Sequence, residues 1–200
     1  MSAEQSRPPA AGAALAVSED ARTELARLLR AEALVFGDFL LASGARASYY
    51  VDCRRALLAQ PAFGLVGSLV AEVARQLGAQ AVGGLTLGAD PIACAAIAAD
   101  PRLRAFLVRK EPKRHGLGKW IEGPPIAGVR CLVVEDVVTS GSSLVQAIER
   151  ARAEGAELVG ALAVLDRLAG GRERVVAALG GELPYLALTT IEDLDPERSP

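Results

Sequence analysis

The sequence predicts an α/β fold with a mainly parallel central sheet flanked by helices, and two observations carry that prediction. Short uninterrupted apolar runs, "AVGGL", "RCLVVED" and "ELVGALAVLDR", read as strands buried on both faces, as a parallel sheet covered on both sides requires. Between them stand segments with apolar spacing of three and four, bounded by proline before and glycine after, which read as helices. Strand–helix alternation of this kind gives a layered α/β architecture. No internal repeat and no second domain is visible, so residues 18–200 read as one domain.

Residues 1–17, Ala/Pro/Ser-rich and without periodicity, are expected to form a disordered tail. A helix is expected from Ser18, an N-cap residue, with leucines at 25, 28 and 29 on one face. "FGDFLLASGARASYYVDCRR" reads as two short strands around the Ser43-Gly44 turn. "PAFGLVGSLVAEVARQLG" is a helix with proline in its first turn and Gly78 as its stop. "AVGGL" is a strand, followed by a helix with Asp90 as N-cap and Pro91 at its first position. After the strand "RAFLVRK", residues 111–127 form a long loop rich in glycine, proline and charge, expected to be mobile. The strand "RCLVVED", the helix "GSSLVQAIERARAEGA" ended by Gly155, and the strand "ELVGALAVLDR" follow. A short helix "GGRERVVAALGG" and a last strand "LPYLALTT" complete the series.

Hydrophobic residues make up 51% and charged residues 23%, a soluble globular balance. The net charge of -2 speaks against a general nucleic-acid binder, and the apolar run from Ala81 is broken by Asp90 and Pro91, which speaks against a membrane span. Cys53, Cys94 and Cys131 are scattered, with no C-x-x-C pair, so neither a disulfide framework nor a zinc site is expected and a cytoplasmic location is the default. Positive charge is concentrated in "VRKEPKRHGLGKW". This stretch holds Lys110, Lys113 and Lys119, the only lysines, and the single histidine and tryptophan, His115 and Trp120. A small anionic ligand fits that concentration better than a long polyanion.

The segment with the most chemistry is "CLVVEDVVTSGSSL". An apolar strand runs into Glu135 and Asp136, and a Thr-Ser-Gly-Ser-Ser turn opens a helix. Unpaired amides at such a helix start carry partial positive charge and can cradle a phosphate. Gly141 permits close backbone approach, and hydroxyls add donors. The bland alternative is a capped strand–helix turn with surface acids. No G-x-x-x-x-G-K-[ST] and no G-x-G-x-x-G after a strand is present, which lowers nucleotide-hydrolase and dinucleotide readings.

Two acids, two apolar residues, then Thr-small-Gly and a hydroxyl is the signature of the type I phosphoribosyltransferases, and "VVEDVVTSGSS" resembles it throughout. "VRKEPKRHGLGKWIEG" resembles the catalytic loop of the orotate phosphoribosyltransferases. "FLLASGARASYYVDCRR" is similar to that family's hairpin and Tyr-x-Asp-x-Arg, "LTLGADPIACAAIA" to its Gly-Ala-x-Pro loop, and "AVLDR" to its strand ending in Asp-Arg. The resemblance runs in order from about Leu34 to Arg167. It departs at Ala42, where many relatives carry lysine, and at Tyr49, where proline is usual.

The resemblance implies a type I phosphoribosyltransferase fold with a small N-terminal hood over about 18–60 and a catalytic loop over about 109–127. It implies a homodimer with shared active sites, and Mg2+ held mainly through phosphoribosyl pyrophosphate (PRPP) with no dedicated protein metal site. The implied reaction is transfer of the phosphoribosyl group of PRPP to orotate, giving orotidine 5′-monophosphate and pyrophosphate in pyrimidine biosynthesis. Lys113, His115 and Asp136 would be catalytic. Arg109, Lys110, Lys113 and His115 would meet the pyrophosphate and phosphate groups. Glu135, Asp136, Val137, Val138, Thr139, Ser140, Gly141, Ser142 and Ser143 would hold the ribose and its 5′-phosphate. Thr139 and Arg167 would recognise orotate, the planar Arg fork suiting a carboxylate. A transferase for another base, and a phosphoribosyltransferase-fold regulator of transcription, are the alternatives; Arg167 and the hairpin speak against the first, near-neutral charge and an intact loop against the second.

Overall fold

The computed structural model describes residues 17–40, 46–112 and 119–195. Helix α1 (Glu19–Glu32) begins as its sequence demands, the Ser18 hydroxyl accepting the Ala21 N–H at 3.3 Å, and buries Leu25, Leu28 and Leu29. An antiparallel hairpin follows, β1 (Leu34–Leu40) and β2 (Arg46–Val51), with the expected Ser43-Gly44 turn lying outside the described residues. A four-residue helix α2 (Arg54–Leu57) that the sequence pattern had not suggested leads into α3 (Ala62–Gln76), which stops before Gly78 at φ +66.

The main sheet comprises β3 (Ala81–Leu85), β4 (Arg104–Val108), β5 (Ile121–Glu122), β6 (Arg130–Val138), β7 (Glu157–Asp166) and β8 (Tyr185–Thr190). Their spatial order is β5-β4-β3-β6-β7-β8; all neighbours run parallel except β5, antiparallel to β4. The two-residue β5 lies inside the segment expected to be loop, paired through Val108↔Ile121 and Leu107↔Glu122. Successive strand residues face opposite ways, so each central strand feeds two cores. Val82, Leu132, Val134 and Leu162 pack under α1, α3 and α4 (Asp90–Ala99). Ala81, Phe106, Val133 and Ala163 pack under α5 (Ser142–Ala153) and α6 (Gly171–Ala178). Leu144 and Ile148 of α5 are fully buried in that second core, each contributing roughly 1.5–3 kcal/mol that fixes the helix on the sheet. A last short helix, α7 (Ile191–Leu194), is closed by a capping box between Thr190 and Asp193.

One boundary differs from expectation. Ala89, already helical at φ -77 and ψ -20, is the N-cap of α4, so Asp90 is its first residue and Pro91 its second. The turn starts a residue early because the Ala89 and Asp90 amides already donate to Leu85 and Leu87 carbonyls. Asp90 therefore does not cap, and its Oδ1 is buried without a hydrogen-bond partner among the described residues.

Candidate active site

The order in which strands are added reverses between the parallel neighbours β3 and β6: β4 lies to one side of this pair, β7 and β8 to the other. Open parallel sheets bind ligands at such a switch point, beyond the carboxyl ends of the strands. Four chain segments meet there.

The first is the cradle after β6. Gly141 takes φ +76 as the N-cap of α5, and a β-carbon there would lie 2.7 Å from the Gly171 carbonyl oxygen, so glycine is needed twice over. Residues Val137 to Leu144, with Glu135, line a depression of about 140 Å³. Arg174 on α6 donates to the Ser140 carbonyl at 3.1 Å and buttresses the turn from behind.

Next to it is the acid pair. Glu135 is buried and Asp136 half-buried. The Asp136 amide donates to Glu135 Oε1 at 3.2 Å and the Val137 amide to Asp136 Oδ1 at 2.9 Å. Glu135 Oε2 has no partner among the described residues. Burial, reinforced by the neighbouring Asp136 carboxyl, pushes the Glu135 carboxyl well above the ordinary glutamate range, with Lys110 opposing. The turn after β3 presses on this pair: a β-carbon on Gly88 would sit 2.4 Å from Asp136 Oδ1 and 2.8 Å from Glu135 Oε1.

Third is the corner at the end of β7. Val138 and Asp166 are in register, and the Arg167 amide donates to the Val138 carbonyl at 2.9 Å, which sets Thr139 and Arg167 side by side at the strand ends. Asp166 is buried and accepts from Tyr185 Oη and the Leu168 amide, both at 2.9 Å, fixing the bend that presents Arg167. The Arg167 guanidinium lies over the Tyr49 ring of the hairpin, 4.9 Å from its centroid, while its Nε is buried without a partner among the described residues. Stacking on an aromatic face leaves the fork's edge available for an anion.

Fourth is the base of the long loop. Leu85 and Val108 are in register and the Thr86 amide donates to the Val108 carbonyl at 2.8 Å, so Arg109 and Lys110 leave β4 beside the turn after β3. The Arg109 amide donates to the Trp120 carbonyl at 2.9 Å, closing the loop's two ends on each other. Asp90, Glu135 and Arg167 supply all three buried side-chain polar atoms that lack a partner among the described residues, and each stands at this edge of the sheet. Unpaired buried polar groups are costly, and their concentration in one place marks it as built for a ligand.

Residues 70–179 match the family model described as a phosphoribosyl transferase domain. The orotate phosphoribosyltransferase of Corynebacterium glutamicum is 47% identical over 179 residues, covering 89% of this chain and 96% of the relative. That of Rhodopirellula baltica is 44% identical over 88% of this chain and 96% of its own length. The chain belongs to the orotate phosphoribosyltransferase family. Among solved structures, the Mycobacterium tuberculosis H37Rv orotate phosphoribosyltransferase in complex with Fe(III) dicitrate superposes with a TM-score of 0.79 at 43% identity, covering 88% of this chain and 99% of that one. The same enzyme in complex with PRPP gives 0.71 at 36% identity, covering 88% and 93%. Leishmania donovani adenine phosphoribosyltransferase, 14% identical with a TM-score of 0.63, shares the fold alone.

This orotate phosphoribosyltransferase gathers Glu135, Asp136, Val137, Val138, Thr139, Ser140, Gly141, Ser142, Ser143 and Arg167 around one edge, with Lys110 alongside. Arg109 stands at the same edge, but its guanidinium is turned to Glu122 Oε1, 3.1 Å away, and to the Glu111 carbonyl. Lys113 and His115 lie outside the described residues, as does Ala42. Three participants escaped the sequence reading: Tyr49, noted only as a departure from the family pattern, Asp166 behind Arg167, and Arg174 behind the cradle. The Tyr-x-Asp-x-Arg pattern resolves into an ion pair, Asp52 to Arg54 at 2.7 Å, which lowers the Asp52 carboxyl below its ordinary value.

Proposed function

We propose that the edge formed by β3, β4, β6 and β7 is where this enzyme transfers the phosphoribosyl group of PRPP to orotate, within a single domain over residues 18–200. The observation that carries the reading is the side-by-side placement of an amide cradle with an acid pair and of an arginine fork stacked on Tyr49. The cradle takes the 5′-phosphate through unpaired amides at the start of α5 and the hydroxyls of Ser142 and Ser143. Glu135 and Asp136 accept or share hydrogen bonds with the ribose hydroxyls beneath it. Arg167 takes the orotate carboxylate in a bidentate way, with Thr139 beside it.

Breaking the bond from ribose C1 to pyrophosphate builds positive charge on the sugar and negative charge on the leaving group. Catalysis therefore rests on position and electrostatics, with no covalent intermediate on the protein. Asp136 faces the electron-poor sugar. Lys110 and, on the motif alone, Arg109, Lys113 and His115 meet the departing pyrophosphate; His115, with a reference value near 6.5, can give it a proton or a hydrogen bond. Carboxylate and hydroxyl oxygens are hard donors that suit Mg2+. It would be held mainly through PRPP's own oxygens with Asp136 on the protein side, and it supplies neutralisation of pyrophosphate charge.

The enzyme works as a homodimer in the cytoplasm. An apolar surface cavity of about 620 Å³ beside the site is bordered by Leu58 and Leu87, which are 70% and 67% exposed, and is suited to burial against a second copy. No described helix is long and apolar enough to cross a membrane, and all three cysteines are free. The deciding experiment supplies PRPP and Mg2+ with orotate, uracil, adenine and hypoxanthine in competition. Consumption of orotate with release of one pyrophosphate per turnover is expected; folded protein that consumes a different base instead would overturn the reading. Light scattering after size exclusion should give twice the chain mass.

A further inference from the structure

Arg150 lies in the third turn of α5, the helix whose first turn forms the phosphate cradle. It is half-buried and its guanidinium has three partners from the opposite side of the site. Nη1 donates to the Arg109 carbonyl and Nη2 to the Lys110 carbonyl, the latter at 3.2 Å. Its Cζ also stands 4.1 Å from the centroid of the Trp120 ring. One planar group thus holds both ends of the long loop: two consecutive carbonyls where the chain leaves β4, and the aromatic ring where it returns to β5. The Arg109–Trp120 main-chain bond and the Arg109–Glu122 pair close the same junction.

We propose that Arg150 is a positioning residue for phosphoribosyl transfer, fixing the exit of the chain at Arg109 and Lys110 so that Lys110 leaves β4 beside the turn that packs on the acid pair of β6. The inference rests on the reading of Lys110 as a pyrophosphate-facing cation and adds the residue that aims it. Geometry supports the assignment in two ways. A side chain bonded to the Arg109 and Lys110 carbonyls fixes the peptide planes on either side of the Lys110 Cα, and with them the direction of its Cα–Cβ bond. The anchor also belongs to the cradle helix itself, so the cradle and the loop base are held by one rigid element. Because α5 is locked to the sheet by fully buried Leu144, Ala147, Ile148 and Ala151, it cannot follow the loop. Lys110 leaves β4 beside the turn after β3, and Gly88 of that turn packs against the Asp136 and Glu135 carboxyls. Lysine could not replace Arg150, because an ammonium lacks the planar fork and the flat face that serve carbonyls and indole together.

The chain has one tryptophan, so intrinsic emission reports this junction without a label. Arg150→Ala and Arg150→Lys, checked for folding by circular dichroism, are compared with the parent in three ways: Trp120 emission, binding of ribose 5-phosphate, and orotate kinetics at saturating PRPP and Mg2+. Both variants should shift Trp120 emission and lose about tenfold in kcat, with ribose 5-phosphate affinity and orotate KM within about twofold. Unchanged emission would refute the contact, and shifted emission with kcat within twofold would reduce Arg150 to a structural residue; either result overturns the proposal. A fall in ribose 5-phosphate affinity as large as the fall in kcat would overturn it too, since the helix rather than the junction would then be damaged. If the parent itself turned over no orotate, the assignment of Lys110 would fail separately. An unshifted emission, or a variant as active as its parent on whichever base is accepted, would still count against Arg150.

Discussion

At the cradle after β6, charge is met by main chain: a strand ends, Gly141 turns at φ +76, and amides point outward because the helix has only begun. At the base of the loop after β4, charge is met by side chains, and their direction depends on groups far away in sequence. Arg150 reaches back 41 residues to the Arg109 carbonyl, and Glu122 pairs with Arg109 across 13. The first arrangement is rigid by construction and suits a group that keeps its charge through the reaction, the 5′-phosphate. The second carries long side chains on an anchored backbone, whose charged ends can follow moving charge, and on the proposed reading it would suit the pyrophosphate, whose charge changes as the bond to C1 breaks. Cradle changes should therefore appear in affinity, and loop-base changes in rate.

The largest effect is expected from Gly141→Val. A left-handed backbone costs a β-branched residue at least about 1–2 kcal/mol, and its β-carbon would meet the Gly171 carbonyl. Calorimetry should show PRPP affinity falling by roughly 100-fold, and affinity near that of the parent would break the cradle half of the contrast. Arg167→Leu should raise the orotate KM by roughly 10- to 100-fold, as loss of hydrogen bonds between charged groups implies, while PRPP binding stays close to the parent value. Tyr49→Leu, which removes the ring under Arg167, should give a weaker version of the same defect.

Glu135 sharpens the contrast through pH. Its carboxyl titrates well above the ordinary value of 4.5 in the folded protein, so the folded state holds a proton that the unfolded state has released. Stability should then fall as pH rises from that ordinary value toward the elevated one. Glu135→Gln, which cannot ionise, should show a flatter profile and a melting temperature that gains on the parent toward alkaline pH. Parallel profiles would show that this carboxyl is not held protonated. The smallest effect belongs to Glu122→Gln: the Arg109–Glu122 pair is more than a third exposed on both sides, worth at most about 1 kcal/mol, and kcat should stay within about threefold.

The same contrast decides what could be read before the fold was known. The cradle segment lies in fourteen consecutive residues, where strand, acids, glycine and hydroxyls follow from local spacing, and the structure has strand, glycine turn and helix there, the strand running two residues further, to Val138. The sheet was legible for the same reason, because strands buried on both faces cannot hide their apolar runs. The loop base was not. A two-residue strand such as β5 shows no periodicity, and nothing local joins Arg150 to Trp120, Arg167 to Tyr49 or Tyr185 to Asp166. Asp90 had the look of a helix cap, but amides already bonded to Leu85 and Leu87 started the turn without it. Tyr49 seemed only a departure from the family pattern until the fold laid its ring under Arg167.

The division of labour is tested most directly by the single-turnover rate of transfer to orotate in Lys110→Met, measured with saturating PRPP and Mg2+. The rate should fall by at least about tenfold while PRPP affinity changes by less than about threefold, because a cation that follows charge onto the leaving group acts chiefly in the transition state. A rate equal to the parent's at saturation, with the whole defect in PRPP affinity, would contradict the account and make the loop base a second cradle.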